Sequence, residues 1–464
     1  MNWRTEVSAP ILIPEIASQI VEASCSYTGD GVWKLDPSCT KYLAQLALTC
    51  TWFNDIVNPV LWRSLRDIGP LINLLPEDAV VVKEVGPFCR FQLVLMRPLT
   101  HEDVKRFNHY ASFIKEITNL SRRELRIHRI RRHNAGKDVH RLLEAIHSAN
   151  PHTPIFPNLR YVSGAADFFY GFDYRTGVYT TRPPAEEICN VPLIESLRLS
   201  FAAAEIEACC ESIGWLADGA SRVRSLEVSF REPDAIGLVD GHSIQVYGDF
   251  VSRFGNLTRF TAGRVSLPLE TLFHLATLPD LRHLDMYLST EWEGEETRER
   301  VREFLEGGRD EPPFAALRTV KLETLHLGPC TDAFLPLISH SPLQSFTLTI
   351  LYGSPTPPLH LDPLFSSLSS LQSTGPLLHT LQELVIEGGG HYFHDVSTSW
   401  EREGLYFELG PNSLEGVYGF RGMERLRVWP SVGVGGFRRE ELVGRWGRME
   451  GVPEVAEGEV AVSV

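Results

Sequence analysis

The sequence predicts an α/β protein in which a small N-terminal helical module precedes an irregular arc of parallel strands with helices behind them. Three observations support this fold class. Apolar residues recur at helical spacing near the N-terminus, and a strand-like apolar pattern recurs over much of the remaining chain. At 464 residues the chain also exceeds what one hydrophobic core usually serves, and its 43% hydrophobic and 22% charged residues are typical of folded proteins.

The helical module is predicted over residues 8–66, and its first helix begins near Pro14. Proline suits the first turn because it lacks only a donor that this position leaves unpaired, and Glu15 suits the positive end of the helix. Ile16 and Ile20 follow at helical spacing. Glycines and a proline within residues 26–38 then predict a loop.

A second helix is predicted from about residue 42, and Asn58-Pro59 is expected to end it. Leu48 and Trp52 lie off its main apolar stripe on an adjacent face, and Trp62 adds a further large side chain. This is more apolar surface than a small helical hairpin can bury, so we expect the module to present some of it to another protein. The main stripe consists of Leu43, Leu46, Ala47, Cys50 and Phe53.

Three ordered motifs occur in this region. They are an opening motif of Leu12, Pro14, Glu15 and Ile16, a central helix with Leu46, Leu48, Thr49, Cys50 and Phe53, and a closing motif of Leu61, Trp62 and Leu65. Together they resemble the F-box, the adaptor-binding module of SCF-type ubiquitin ligase receptors, whose motifs are Leu-Pro-x-Glu-Ile, a leucine-rich helix and Leu-Trp-x-x-Leu. The chain differs from the family in Phe53, where tryptophan is usual, and in the insertion at 26–38.

This resemblance implies that the module binds a Skp-type adaptor and, through it, a cullin scaffold. The alternative is that the module is only a helical cap on the next domain. The residues expected to bind the adaptor are Leu12, Pro14, Ile16, Ile20, Leu46, Leu48, Cys50, Trp52, Phe53, Leu61 and Trp62.

A helical junction is predicted over residues 67–104, and a repeat domain over residues 105–430. The repeated unit is six residues long with apolar residues at its first, fourth and sixth positions. This pattern resembles the leucine-rich repeat. The alternating apolar positions indicate a strand. Copies are "LRYV", "IESLRL", "VRSLEV", "LTRFTA", "LRHLDM", "LETLHL", "LQSFTL", "LQELVI" and "MERLRV", with "FIKEI" as an earlier worn copy.

The spacing of these copies is irregular, since their starts lie between 21 and 42 residues apart. We therefore expect additional helices or loops between strands, with an aromatic loop at 167–184 and a charged helix at 291–311 as excursions. Residues 431–464, which are rich in glycine, glutamate and valine, are predicted to be a partly disordered tail.

The target-binding surface is predicted on the concave face of the repeat strands, the usual docking surface of a solenoid. Its residues are the variable ones between the apolar positions, and their charges are mixed. They are Arg198, Glu227, Arg259, Asp285, His326, Thr347 and Val385.

Composition argues against several classes of partner. The formal net charge of −15 disfavours nucleic acid and anionic membranes. The eight cysteines contain no C-x-x-C, and without a signal-peptide pattern they indicate reduced thiols in the cytoplasm or nucleus. No cofactor or metal is expected, and the histidines of "HYFHD" (391–395) are interpreted as a solvated loop.

The resulting hypothesis is a non-catalytic substrate receptor of an SCF-type ubiquitin ligase, with an architecture similar to that of many fungal F-box proteins. The alternatives are a ligase-independent repeat scaffold and, in a different class, a hydrolase. The chain contains none of G-x-S-x-G, H-E-x-x-H and G-x-x-x-x-G-K, which disfavours the hydrolase.

Overall fold

The computed structural model divides the chain into two compact units, Met1–Leu197 and Arg198–Val464, and the boundary falls inside a strand. This division differs from the predicted boundary at residue 66. The structure describes residues 19, 21, 25–27, 33–35, 37–66, 68–85, 90–118, 136–165, 171–173, 178–180, 193–201, 206–207, 210, 214, 217, 219, 221–230, 240–308, 311–351, 359–371, 377–389, 407–409, 425–429 and 432–434.

The first unit contains short strands, hairpins and helices. In chain order they are β1 (Cys25–Tyr27), β2 (Trp33–Leu35), α1 (Pro37–Ala47), α2 (Thr51–Leu61), β3 (Ser64–Leu65), α3 (Gly69–Ile72), β4 (Val80–Val85), β5 (Arg90–Leu95), α4 (His101–Ala111), β6 (Glu116–Ile117), α5 (Gly136–Ala149), β7 (Tyr161–Ala165), β8 (Gly171–Asp173) and β9 (Val178–Thr180).

Parallel pairing in this unit begins at β3, earlier than the predicted start of the repeats. Ser64 pairs with Glu116, and Glu116 pairs with Tyr161, so that β3, β6 and β7 are neighbours. The carbonyl oxygen of Arg63 accepts from the backbone N–H groups of Lys115 and Glu116 at 2.8 and 3.0 Å. The segment predicted to close the helical module therefore also supplies the first parallel strand, and "FIKEI" supplies the second.

Two local predictions for this unit are wrong. The predicted loop 26–38 contains the antiparallel pair β1–β2 and the first residues of α1. The predicted helical junction 67–104 contains the antiparallel hairpin β4–β5, because both of its strands are rich in β-branched and aromatic residues.

Helix α4 begins with a capping box that also binds a guanidinium group. Thr100 Oγ1 accepts from the Asp103 backbone N–H, and Asp103 accepts from the Thr100 backbone N–H at 2.8 Å. Arg97 donates to both oxygens of Asp103 at 2.6 and 3.0 Å. The hydrogen bonds from Arg97 have the largest effect, and with those from Thr100 they hold the pKa of Asp103 well below its usual range.

The second unit carries longer parallel strands and the helices between them. They are the main part of β10 (Ser196–Phe201), β11 (Ser225–Phe230), α6 (Gly241–Ser252), β12 (Arg259–Ala262), α7 (Leu269–Ala276), β13 (His283–Tyr287), α8 (Glu295–Glu306), β14 (Thr319–Thr324), a π-helical turn (Cys330–Phe334) continued by α9 (Leu335–Leu337), β15 (Ser345–Leu351), β16 (Leu359–His360), α10 (Asp362–Leu371), α11 (Leu377–Thr380), β17 (Glu383–Gly389), β18 (Phe407–Leu409), β19 (Arg425–Trp429) and β20 (Val432–Val434).

The fold class is confirmed: this is an α/β structure in which parallel strands are flanked by helices. The strands follow in the order β10–β11–β12–β13–β14–β15–β17–β19, while β16, β18 and β20 pair in a separate parallel sheet. Side chains alternate between a buried and a more exposed face along each strand. Leu226, Leu284 and Phe346 lie on the buried face, which packs as the core of the unit.

The repeat pattern locates most strands correctly, but it is wrong at one copy. "LETLHL" (322–327) was predicted to form a strand, whereas β14 covers Thr319–Thr324. The copy that forms the strand is "LRTVKL", whose Leu317, Val320 and Leu322 are buried. The tight Pro312-Pro313-Phe314 turn precedes it, and Phe314 adopts a positive φ of 52° with its side chain fully buried.

The excursions and the tail are only partly described. The predicted charged helix at 291–311 is present as α8, but it is not wholly solvated, because Val301 and Phe304 are buried and Phe304 stacks on Phe273 with ring centroids 4.2 Å apart. Much of the 167–184 loop lies outside the described residues, and so does the tail apart from β20. Within the described part of the chain, no helix combines the length and apolarity that a membrane crossing requires.

Helices α6 and α7 approach each other closely at a glycine. A Cβ atom on Gly248 would lie 2.5 Å from Thr271 Oγ1 and 2.7 Å from ring carbons of Pro268. We therefore expect Gly248→Ala to destabilise the protein by about 1–3 kcal/mol, although alanine usually favours a helix over glycine. Urea unfolding followed by circular dichroism measures this free energy.

Gly255 is the matched control, since a Cβ atom there would meet nothing within 4 Å. Gly255→Ala is expected to leave the free energy of unfolding unchanged or to raise it slightly. Equal effects of the two substitutions would contradict the close approach of α6 and α7.

Candidate protein-binding surfaces

The helical module in the first unit is built around a small apolar core. Helices α1 and α2 pack against each other, and Leu46 and Leu61 are partly buried against their core. The buried members of this core are Val21, Leu43, Ala47 and Val57. Leu43 and Ala47, four residues apart, share one side of α1, so only a narrow stripe of that helix lies in the core.

A turn at residues 48–50 separates the two helices, where the sequence predicted one continuous helix. Cys50 is extended (φ −161°, ψ 165°) and precedes the first residue of α2. Asn54 Nδ2 donates to the Ala47 carbonyl oxygen across this turn at 3.3 Å. The turn changes the helical phase, so Cys50 is exposed rather than part of the buried stripe. Pro59, predicted to end the helix, lies inside α2.

The turn presents a large apolar side chain to solvent. The exposed fraction of Leu48 is 85%, and that of Tyr42, one and a half helical turns earlier, is 69%. Exposed leucine at this level does not contribute to the core of the hairpin, so its side chain is available for a contact outside it.

The other predicted adaptor-binding residues differ in their environments. Trp52 and Phe53 are half-buried and contact each other edge to face at a centroid distance of 4.8 Å. Trp62 packs on Tyr110 of α4, with ring centroids 4.6 Å apart, and therefore contributes to the packing of the first unit. Leu12, Pro14, Ile16 and Ile20 lie outside the described residues.

A second candidate surface is the polar face of the parallel strands in the second unit. Glu227 pairs in register with Thr261, Thr261 with Asp285, Asp285 with Lys321, Lys321 with Thr347, and Thr347 with Val385. These positions form one row across the strands. A parallel row, one step nearer the strand starts, contains Ser225, Arg259, His283, Thr319, Ser345 and Glu383.

Most of the acidic side chains on this polar face are held by a neighbouring cation. Glu227 binds Arg198 at 2.5 Å. Glu323 accepts from Arg264 Nε at 2.8 Å, and Glu383 accepts from Arg425 at 2.8 Å. These pairs link adjacent or nearby strands and leave few acidic groups on the face uncompensated.

Asp285 is a half-buried acid in the central row. Burial raises its pKa above the usual range, an effect that Lys321 opposes and that Glu323 and Glu227 reinforce. Arg259 also opposes it, as the weakest of these influences. Its position on the polar face therefore disfavours the ionised form of the carboxyl group.

The predicted target-binding residues are only partly brought together. Arg198, Glu227, Asp285 and Thr347 lie on the polar face, and Arg259 lies one row closer to the strand starts. Val385 is in the central row but is buried, with 7% of its surface exposed. His326 lies beyond the end of β14, where its backbone N–H donates to Thr324 Oγ1.

Lys321 occupies the position that was assigned to His326, and the sequence analysis missed it. The signal was available, because Leu317, Val320 and Leu322 match the repeat as well as the copy that was chosen. His283 lies two residues before Asp285, and Glu323 lies two residues after Lys321. The prediction uses only one exposed position in each copy of the repeat, so it does not include them.

No model of a known protein family matches the chain, and a search of curated proteins finds no significant match.

Burial of Asp285 predicts a pH-dependent effect of Asp285→Asn. Because folding raises the pKa of this carboxyl group, its ionisation weakens the folded state as pH rises through the folded pKa, and the effect vanishes below the unfolded pKa of about 4. We expect Asp285→Asn to raise the melting temperature at pH 7 and to have no such effect near pH 3. Calorimetry at both pH values tests this.

The exposed Asp280 provides the control, since Asp280→Asn removes the same charge without removing a buried carboxyl group. A lower melting temperature for Asp285→Asn at pH 7 would mean instead that attraction to Lys321 and Arg259 outweighs the cost of burial.

The thiols of the two units are expected to differ sharply in reactivity. Cys50 is exposed, whereas Cys330 is fully buried in the π-helical turn and burial raises its pKa to about 12. Because the thiolate is the reactive form, iodoacetamide is expected to modify Cys50 in the native protein and Cys330 only after denaturation. Peptide mass spectrometry distinguishes the two, and equal native labelling would contradict the described burial.

Proposed function

We propose that this protein is a non-catalytic substrate receptor of an SCF-type ubiquitin ligase, acting in the cytoplasm or nucleus. In this proposal the helical module binds a Skp-type adaptor, which joins it to a cullin scaffold, and the polar face of the repeat strands binds the target protein. The receptor performs no chemistry. It raises the effective concentration of target lysines near the ubiquitin-carrying enzyme.

The observation that carries the proposal is the exposure of Leu48 beside an apolar core to which it does not contribute. Helices α1 and α2 bury Leu43, Ala47 and Val57, yet Leu48 remains 85% exposed in the turn between them. A contact with an adaptor would remove this apolar surface from water, and interface energy is usually concentrated in a few such large side chains.

The arrangement of the second unit also supports a receptor. Parallel strands place side chains from distant parts of the sequence in continuous rows, such as Glu227, Asp285 and Lys321. A wide surface of mixed charge suits a folded protein, and variation at the exposed positions leaves the buried positions of the strands unchanged.

Leu48→Asp tests adaptor binding in the full-length chain. We expect the substitution to weaken binding of a purified Skp-type adaptor by about 30-fold, equivalent to the roughly 2 kcal/mol typical of an interface hot spot. Because Leu48 lies outside the core, the melting temperature should change little. Isothermal titration calorimetry measures the affinity. Leu48 is preferred to Trp62, whose loss would also remove the contact with Tyr110.

The control is Gln45→Asp, which adds the same charge at an exposed position of α1. This variant is expected to bind normally. As a second readout, the adaptor is expected to slow alkylation of Cys50 and to leave labelling of the unfolded protein unchanged. Full adaptor binding by Leu48→Asp would show that Leu48 does not carry the contact, and no adaptor binding by the wild-type protein would favour the alternative of a ligase-independent scaffold with a helical cap.

A further inference from the structure

Four arginines lie at the starts of neighbouring parallel strands in the second unit. Arg224, Arg282 and Arg318 each immediately precede a strand and are exposed, and Arg259 is the first residue of β12. We call this set the arginine row; it consists of Arg224, Arg259, Arg282 and Arg318.

The backbone fixes the spacing of this row. Arg224, Arg282 and Arg318 share one register position, which Thr258 occupies before β12, and Arg259 follows that position by one residue. The carbonyl oxygen of Arg224 accepts from the backbone N–H groups of Thr258 and Arg259 at 2.7 and 2.9 Å. The carbonyl oxygen of Arg282 accepts in the same way from Arg318 and Thr319 at 2.9 and 3.0 Å. With neighbouring strands about 4.8 Å apart, the row extends over roughly 14 Å between β11 and β14.

The arginine row lacks acidic partners among the described residues. Within that part of the chain, the acids that do form ion pairs on the polar face bind other cations: Glu227 binds Arg198, Glu323 binds Arg264, and Glu383 binds Arg425. The charge of Arg259 lowers the pKa of Asp285 weakly, and no ion pair joins the two side chains among the described residues. In a chain with a net charge of −15, such a concentration of unpaired guanidinium groups requires an explanation.

His283 lies among three of these arginines. It lies between Arg259 and Thr319 in the register of the strands. Burial lowers its pKa first, and the charges of Arg259, Arg282 and Arg318 lower it further. Three of the four arginines therefore share one local electrostatic environment, in which His283 is disfavoured from adding a further positive charge.

We propose that the arginine row binds an extended, carboxylate-rich segment of a partner protein. Guanidinium groups form charge-assisted, often bidentate hydrogen bonds with carboxylates, and an extended peptide of about five residues spans the ~14 Å of the row. This inference rests on the proposed function, because it takes the polar face as the surface that binds the target. It adds the chemical class of the target segment.

Peptide carboxylates fit this surface better than a nucleic acid does. The positive stretch is short, and Asp285 and Glu227 lie in the next row along the same strands. A nucleic acid usually needs several phosphate contacts along a longer track, and its remaining phosphates would approach these acids and a negatively charged protein.

Binding of a labelled peptide to the full-length protein tests the proposal. The probe is a fluorescein-labelled peptide of alternating Glu and Ser, roughly eight residues long, measured by fluorescence anisotropy at low ionic strength because salt screens such contacts. Its neutral counterpart has Gln in place of Glu. The glutamate peptide is expected to bind, the glutamine peptide is not, and the double variant Arg282→Gln and Arg318→Gln is expected to bind at least tenfold more weakly.

The matched control is the double variant Arg300→Gln and Arg302→Gln, which makes the same change in net charge on α8, where both arginines form surface ion pairs. It is expected to retain wild-type affinity. An equal loss in this control, no binding of the glutamate peptide to the wild-type protein, or tighter binding of an oligothymidylate of similar length would overturn the proposal. The measurement contains no adaptor, so a failure of adaptor binding would not alter its result.

Discussion

The structure of the second unit depends on one repeated backbone interaction at the start of each parallel strand. A carbonyl oxygen just before one strand accepts from two successive N–H groups of the next, as Thr258 does for Arg282 and His283, and Gln344 for Gln382 and Glu383. A one-residue slip would exchange the buried and polar faces of a strand. By fixing the register, this interaction keeps Leu284 in the core and Asp285 on the surface.

The sequence predicts this part of the fold well because alternation of apolar residues follows directly from burial on one face. It fails at β14 because "LRTVKL" and "LETLHL" overlap and both satisfy the apolar pattern. The deciding factor is tertiary: the Arg282 carbonyl oxygen accepts from the backbone N–H groups of Arg318 and Thr319, so β14 begins at Thr319 and Leu317 lies buried just before it. As a result the pattern assigned His326 to a row that Lys321 occupies.

In the helical module, periodicity predicts the core residues but not the turn between the helices. Helical spacing correctly identifies Leu43 and Ala47 as core residues, but the same spacing continues through Cys50 and predicts one helix. Periodicity cannot reveal an extended residue that separates two helices, since both helices satisfy the pattern on their own. Helical spacing does place Leu48 off the stripe that contains Leu46, but the turn that leaves Leu48 exposed is seen only in the backbone.

The net charge of the sequence also does not show how strand register groups charged residues. A net charge of −15 describes the whole chain and excludes no local concentration of positive charge. Arg224, Arg282 and Arg318 are distant in sequence, yet they share one register position, which Thr258 occupies between Arg224 and Arg282. The repeats differ in length, but each places its strand start beside that of the previous repeat. They can therefore form a charged row that neither the total charge nor the local sequence predicts. Because neighbouring strands lie about 4.8 Å apart, a residue on an inner strand of the polar face has counterparts on both sides, as Asp285 has Thr261 and Lys321.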